Sequence, residues 1–320
     1  MENLNTFLSN ATGNGAPMLV NGQLVNNTNA TLRHEEWKMY DSELLKIARQ
    51  RLTITQDLKN RGLVKNLGGI GTILSMWERS GDMQDATISL DGKTKGLNDR
   101  VTFDQVGVPV PVVSADWEVD ARHLEASRKL GEPLDTTQMQ IATRRVADRI
   151  EQMIIEGVPG LTVAGQQIYG YTTHPNRNTG TISSGWQTAN GLQIVSNVKD
   201  MLQQAYDQNY FGPFVLYVAK DIWANIQTDY SAEKGDNTIK DRIEAFVDID
   251  MVMPGDSLAS GTVVMVQLTS DVVDLAIGQD LRNIQWSTEP MATKYKIFSV
   301  LAPRVKAEKD GRCGVVHWTS

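Results

Sequence analysis

An α+β fold is predicted by three stretches of this sequence: a long amphipathic helix, a long polar-tipped hairpin, and a block in which short apolar strands alternate with helices. The helix spans residues 135–157 within PLDTTQMQIATRRVADRIEQMIIEGVP. Asp135 is placed as its N-cap, because a carboxylate there accepts from the exposed amides of the first turn. Gly157 and Pro159 end it: glycine tolerates the left-handed cap and proline cannot continue the ladder. Met139, Ala142, Val146, Ile150, Met153 and Ile154 recur at three- and four-residue steps and make one apolar stripe. Arg144, Arg145, Asp148, Arg149, Gln152 and Glu156 fall mostly on the other side. Twenty-two residues make a rod of roughly 33 Å, long for one domain.

The hairpin is read over residues 85–104. Thr87 to Leu90 and Val101 to Asp104 alternate in polarity across a turn-rich tip, Asp91-Gly92, Gly96 and Asn98-Asp99, which carries Lys93, Lys95 and Arg100. A lone two-stranded ribbon is marginal in water, so another surface must support it. Pro109 and Pro111 confine the next strand, residues 108–113, to a sheet edge or a bent path. A helix follows from Ala115 to Leu130.

In the third stretch Leu192, Val195, Val198, Leu202 and Ala205 predict a helix. Phe214–Val218 is a buried strand, and a helix opens at Asp221 as N-cap. Residues 238–246 make a further helix. Residues 262–268 and 272–277 are strands joined at Thr269-Ser270-Asp271 as a second hairpin. Residues 229–256 hold eight acidic residues against three basic ones, which reads as a solvated face; a calcium loop needs tighter Asp/Asn spacing with Gly. The tail alternates through Ile297, Ser299 and Leu301 and ends in Val315, Val316 and Trp318. It is expected to return as strands to the sheet of the first domain.

The N-terminal part differs in texture. Residues 1–32 contain one charged residue, Glu2, and read as a flexible arm, with Met18, Leu19, Val20, Leu24 and Val25 apolar enough to grip a neighbour. From Glu35 to Asn60 the pattern predicts one helix ending near Gly62. The glycine cluster of residues 68–81, GGIGTILSMWERSG, lacks the Gly-Lys-Ser/Thr ending of a phosphate-binding loop and is read as a turn before the next strand.

Composition narrows the function. Hydrophobic residues at 41% and charged residues at 22% are those of a globular chain, with length for one large domain or two. A net charge of -7 argues against nucleic-acid binding through bulk electrostatics. Cys313 is the only cysteine, which leaves no intrachain disulfide or cysteine metal cage, and beside Arg312 it reads as a buried structural thiol. No apolar run reaches the roughly 20 residues of a membrane span, and MENLNTFLSN is no secretion signal. A soluble protein is expected. His34, His123, His174 and His317 are scattered outside any metal-ligand spacing, and His174 reads as a loop histidine held by backbone hydrogen bonds. No nucleophile elbow occurs. No catalytic residue, cofactor site or metal site is assigned, and the chain is not expected to be an enzyme.

The order of elements resembles the Hong Kong 97-like fold of tailed-phage major capsid proteins and encapsulin nanocompartments. Residues 149–160, RIEQMIIEGVPG, resemble the end of the encapsulin spine helix. Residues 275–286, LAIGQDLRNIQW, resemble the strand-turn-strand after the second domain, and residues 298–307, FSVLAPRVKA, are similar to the closing strand. The loop YGYTTHPNRNTG, residues 169–180, is similar to one in phage capsid proteins. With the long arm it favours a phage shell over an encapsulin. The resemblance implies an arm over 1–32, a peripheral domain over 33–84 and 105–160 with the spine at 135–157, and an E-loop over 85–104. It also implies an axial domain over 161–290 and return strands over 291–320. The implied function is a major capsid protein that self-assembles from pentamers and hexamers into an icosahedral head around DNA. Encapsulin-type enclosure of a cargo enzyme is the alternative. Implied partners are scaffolding, portal and decoration proteins, with packaged DNA held only non-specifically and no membrane. The implied location is the virion, after assembly in the host cytoplasm. Lys93 or Lys95 is where a cross-linking shell would place its lysine.

Overall fold

The computed structural model describes residues 18–20, 23–25, 34–81, 88, 90, 100–130, 136–182, 185–230, 237–289 and 292–320. The chain divides into two compact units. The first holds residues 1–53, 112–150 and 279–300; the second holds 54–111, 151–278 and 301–320. The division falls within two helices, residues 53–60 and 137–156, and two strands, which are continuous elements.

In the first unit, α1 (His34–Arg51), β6 (Val112–Asp120), α3 (Ala121–Leu130) and the start of α4 (Thr137–Glu156) surround an aromatic core. Trp117 stacks on Tyr295 at 4.2 Å, and Tyr40 meets Trp117 edge-on at 5.3 Å. Such contacts add about 0.5–1.5 kcal/mol to the area they bury. Strand β14 (Ala292–Val305) pairs antiparallel with β6 from Ala292–Asp120 to Val300–Val112. The helix expected over 115–130 is corrected by this ladder. Residues 115–120 are strand, because Val113, Ala115, Trp117 and Val119 alternate toward the core, and the helix begins only at Ala121.

All six stripe residues of α4 are buried, so the 3.6-residue period was a true core signal. The Asp135 cap lies outside the described residues. Gly157 ends the helix at φ +72°, and a Cβ there would sit 2.3 Å from the Ile168 carbonyl oxygen, so only glycine fits. The helix expected over 35–60 is two helices, α1 and α2 (Thr53–Asn60), with a break at Leu52.

The second unit is built on a five-stranded sheet, order β11-β10-β12-β15-β9, whose ranges are Ile249–Gly255, Phe214–Ala219, Thr262–Gln267, Val315–Thr319 and Asn178–Thr181. Every residue of β10 and β12 is buried, as a strand covered on both faces requires. Helix α5 (Gly191–Tyr206) carries a capping box between Asn190 and Gln193 and buries Ile194, Val198, Met201, Leu202 and Ala205. The stripe is rotated from the expected one, leaving Leu192 exposed. Helix α6 (Lys220–Ile226) has Ala219, not Asp221, at its N-cap; α7 (Ile239–Glu244) is capped by Thr238.

Two expectations fail here because sequence neighbours do not pair. Strands β12 and β13 (Val273–Glu289) form no hairpin: β10 and β15 occupy both edges of β12, and the start of β13 pairs in parallel with β3 (Val64–Asn66). The tail does not all return to the β6 sheet, because β15 lies between β12 and β9. The acidic stretch 229–256 is a solvated face among its described residues, as expected: Asp229, Asp241, Asp250 and Asp256 are exposed and Glu244 and Asp248 half-buried, with Arg61 paired to Asp250 and the Tyr206 hydroxyl donating to Asp248.

The hairpin is also relocated. Its paired strands are β4 (Leu74–Ser80) and β5 (Phe103–Pro109), in register from Leu74–Pro109 to Ser80–Phe103. The glycine cluster turns where expected, and the next strand starts within the stretch read as turn. Of residues 85–99, only Ile88 and Leu90 are described, and neither is in a strand; Lys93 and Lys95 lie outside the described residues. From the arm, β1 (Met18–Val20) pairs antiparallel with β2 (Gln23–Val25), and the rest of 1–32 lies outside the described residues. A further strand pair, β7 (Val158–Val163) with β8 (Gln166–Ile168), follows α4.

Candidate assembly site

The ribbon β4–β5 has two unlike faces because side chains alternate along each strand. Ser75, Trp77 and Arg79 face one way, opposite Val108, Val106 and Asp104. Met76, Glu78 and Ser80 face the other, opposite Gly107, Gln105 and Phe103.

The first face is fastened to its own unit. Asp274 on β13 takes a two-pronged pair from Arg304 on β14, Nε to Oδ1 and NH2 to Oδ2, each at 2.5 Å. Lys306 Nζ adds a third bond at 2.8 Å. Arg304 and Asp274 are both buried, so the pair is sheltered from salt. The Arg304 guanidinium then reaches the ribbon: it lies 5.5 Å from the Trp77 ring centre and donates to Ser75 Oγ at 3.5 Å. Arg79 binds Asp104 across the ribbon through Nε at 3.2 Å and NH2 at 2.7 Å, which holds the Asp104 carboxyl below its usual range. At the root the Gly107 amide donates to Gln166 Oε1 at 3.2 Å, and at the far end of the paired strands Lys309 Nζ donates to Thr102 Oγ1 at 2.5 Å. A cleft of about 410 Å³ lies under the ribbon, walled by Trp77, Tyr169, His174 and Arg304.

The second face is open. Met76 and Phe103 are exposed by 53% and 66%. Ile88 and Leu90, farther out, are fully exposed. Exposed Met76 and Phe103, with Glu78 and Gln105 between them, mark this face as a candidate interaction surface rather than a core. A second apolar surface of this unit carries Phe211, stacked on Tyr206 at 5.6 Å, and fully exposed Val247.

His174 and His317 flank Arg177. Arg177 donates through Nε to His317 Nδ1 at 3.1 Å and through NH1 to the His174 carbonyl at 2.9 Å. His174 Nδ1 accepts from the Asn176 amide at 3.3 Å. The expected backbone-held loop histidine is therefore present, and His317 is a partner the spacing did not suggest. Burial first, and then Arg177, pushes each imidazole down to about 4. In the unfolded chain both take protons near 6.5. Their contribution to stability is therefore complete above about pH 6.5 and is lost as pH falls from there toward 4. We expect urea midpoints to drop in that window by an equivalent of about 2–4 kcal/mol for the pair, after allowance for partial exposure of His317. A His174→Gln/His317→Gln chain should show a flatter profile; an unchanged profile would assign the loss to carboxylates.

The remaining candidate groups stay apart. His123 is exposed and distant in sequence from the others, and Cys313 is buried, with its thiol pushed up to about 11 by burial. Among the described residues no three His, Cys, Asp or Glu side chains converge as a metal site, and no helix is long and apolar enough to cross a membrane.

Sequence reasoning missed the Asp274–Arg304–Lys306 cluster and Glu151. Glu151 sits in α4 among Ala147, Ile154 and Ile155 and is itself buried. Its carboxylate accepts from the amides of Ile54 and Thr55 at 3.1 and 3.0 Å and from Thr55 Oγ1 at 2.8 Å, capping α2 from another helix. Its place in the apolar stripe, one turn from Ala147 and Ile155, was the available signal.

Residues 26–318 match the model of a family described as a family of unknown function, DUF6260. This chain belongs to that family. The DUF6260 chain is also similar in structure to a virus-like particle from Pyrococcus furiosus, at 15% identity and a TM-score of 0.65, covering 89% of this chain and 99% of that one. It is similar to the capsid of Myoviridae phage XM1 at 10% identity and 0.61, and to a chain of Mycobacterium phage Bobi at 11% and 0.59. Each of these covers 81% of this chain and 89% of the other. The DUF6260 chain thus has the Hong Kong 97-like capsid fold.

Proposed function

We propose that this protein is the major capsid protein of a tailed phage, a structural protein that assembles into an icosahedral head around DNA. The observation that carries the reading is the two-faced ribbon. One face is locked by Arg304 and Asp274, while the other presents Met76 and Phe103 to solvent. Covering that face from a neighbouring subunit removes apolar surface from water, at about 25 cal/mol per Å². The capsid fold supports it, since the XM1 chain is described as a capsid. In this reading the ribbon and its tip are the E-loop, α4 is the spine of a peripheral domain, and the five-stranded sheet belongs to the axial domain. Residues 1–32 are the arm. The shell is built of pentamers and hexamers and meets scaffolding, portal and decoration proteins; it forms in the host cytoplasm and ends in the virion. A net charge of -7 suits a wall that confines a polyanion without gripping it.

Electron microscopy of the purified full-length chain tests this. Closed particles that contain nucleic acid when isolated from their native source are expected. Particles filled with a protein cargo would assign an encapsulin-type compartment instead. A chain that sediments only as monomer or dimer under scaffolded assembly conditions would overturn both readings.

A further inference from the structure

In the second unit, buried polar side chains from α2, from the turn after β8 and from β10 converge beside the last turn of α4. Tyr171 and Tyr217 are each 1% exposed, and their rings stack with centres 6.0 Å apart. The Tyr171 amide is bonded to the Ile154 carbonyl at 3.1 Å, which ties its backbone to the last turn of α4. Glu151 spends its two oxygens on Ile54 and Thr55. Asp57 Oδ1 takes Arg61 Nε at 3.0 Å.

Three buried oxygens then stand without a hydrogen-bond partner among the described residues: the Tyr171 hydroxyl, the Tyr217 hydroxyl and Asp57 Oδ2. A buried polar atom without a partner is costly, and phenylalanine would fill either tyrosine position without that cost. Both phenols lie in the field of the Asp57 and Glu151 carboxylates, which together with burial keeps them protonated. The cluster therefore offers two protons to donate and one carboxylate oxygen to accept. A cation would satisfy the carboxylate but give the phenol protons nothing to bond. A water molecule accepts two hydrogen bonds and donates two, which matches the set.

We propose that Tyr171, Tyr217 and Asp57 form a structural water site: both hydroxyls donate to one water, and that water donates to Asp57 Oδ2, tying α2 to β10. The test is a double-mutant cycle on the full-length chain by urea unfolding, with Tyr171→Phe, Tyr217→Phe and the pair. Each single change is expected to lower the folding equilibrium constant about 3- to 10-fold, the usual range for one lost hydrogen bond. The pair should lose less than the product, because both hydroxyls share one water. A high-resolution map of the unaltered protein should show a solvent peak within bonding distance of both hydroxyls. Single variants as stable as the parent or more stable, strictly additive losses, or a map with no such peak would overturn the proposal. A midpoint that depends on potassium against sodium at constant ionic strength would overturn it in favour of a cation.

Discussion

A chain in which residues 82–101 are replaced by Asn-Gly is expected to fold normally and to form no shells. The paired strands β4 and β5 remain, and the bond from the Gly81 amide to the Thr102 carbonyl, 3.0 Å, closes the shortened ribbon over a two-residue turn. Ile88 and Leu90, within the removed segment, are fully exposed, so losing these two side chains costs the subunit almost no buried apolar area. Its unfolding free energy should change by no more than about 0.5 kcal/mol. The assembly loses far more. A leucine or isoleucine buried against a neighbour contributes about 1.5–3 kcal/mol, and the loss recurs at every subunit contact. Circular dichroism and urea unfolding of the monomer, with particle counts by electron microscopy, read both effects. Normal particles from the shortened chain would refute the assembly role of the tip. A monomer that no longer folds would place the segment in the core.

Asp274→Ala should be among the most damaging single changes in the second unit, costing about 3–5 kcal/mol in unfolding free energy. It leaves Arg304 and Lys306 side by side with no carboxylate between them, and Arg304 is only 6% exposed. Arg304→Met should cost less, because Lys306 still neutralises Asp274 at 2.8 Å and methionine fills much of the space under Trp77. The order of the two losses is the measurement. Equal losses would mean that Lys306 does not stand in for the arginine. The arginine variant should also let go of the ribbon root. Faster hydrogen exchange across residues 74–80 and 103–109, with the sheet core unchanged, is the expected mark of that release.

What the sequence disclosed follows from the range of the forces involved. The buried stripe of α4 and its stop at Gly157 are local matters of period and backbone conformation, and both were legible. So was the strand 262–267, whose unbroken apolar run needs cover on both faces. Residues 115–120 misled because Ala115, Trp117 and Val119 suit a helix almost as well as a strand; the β14 ladder decided between them. The ribbon was shifted because Glu78 and Arg79 look like turn residues until Asp104, far along the chain, is known to face Arg79. Arg304 meets Asp274 from 30 positions away and Ser75 from 229, and Glu151 meets residues nearly a hundred positions away. No spacing within one stretch encodes such meetings. The candidate site was therefore legible as a hairpin in need of support, while the groups that supply the support were not.

The order of strands in the five-stranded sheet bears on synthesis. β9 has β15 as its sole neighbour in that sheet, and β12 keeps one bare edge until β15 arrives. A growing polypeptide that has passed residue 267 but not residue 319 thus carries a wholly apolar strand with half its backbone groups unanswered, the kind of edge that recruits other chains. The five-stranded sheet is therefore complete only once the strand at 315–319 is seated between β12 and β9.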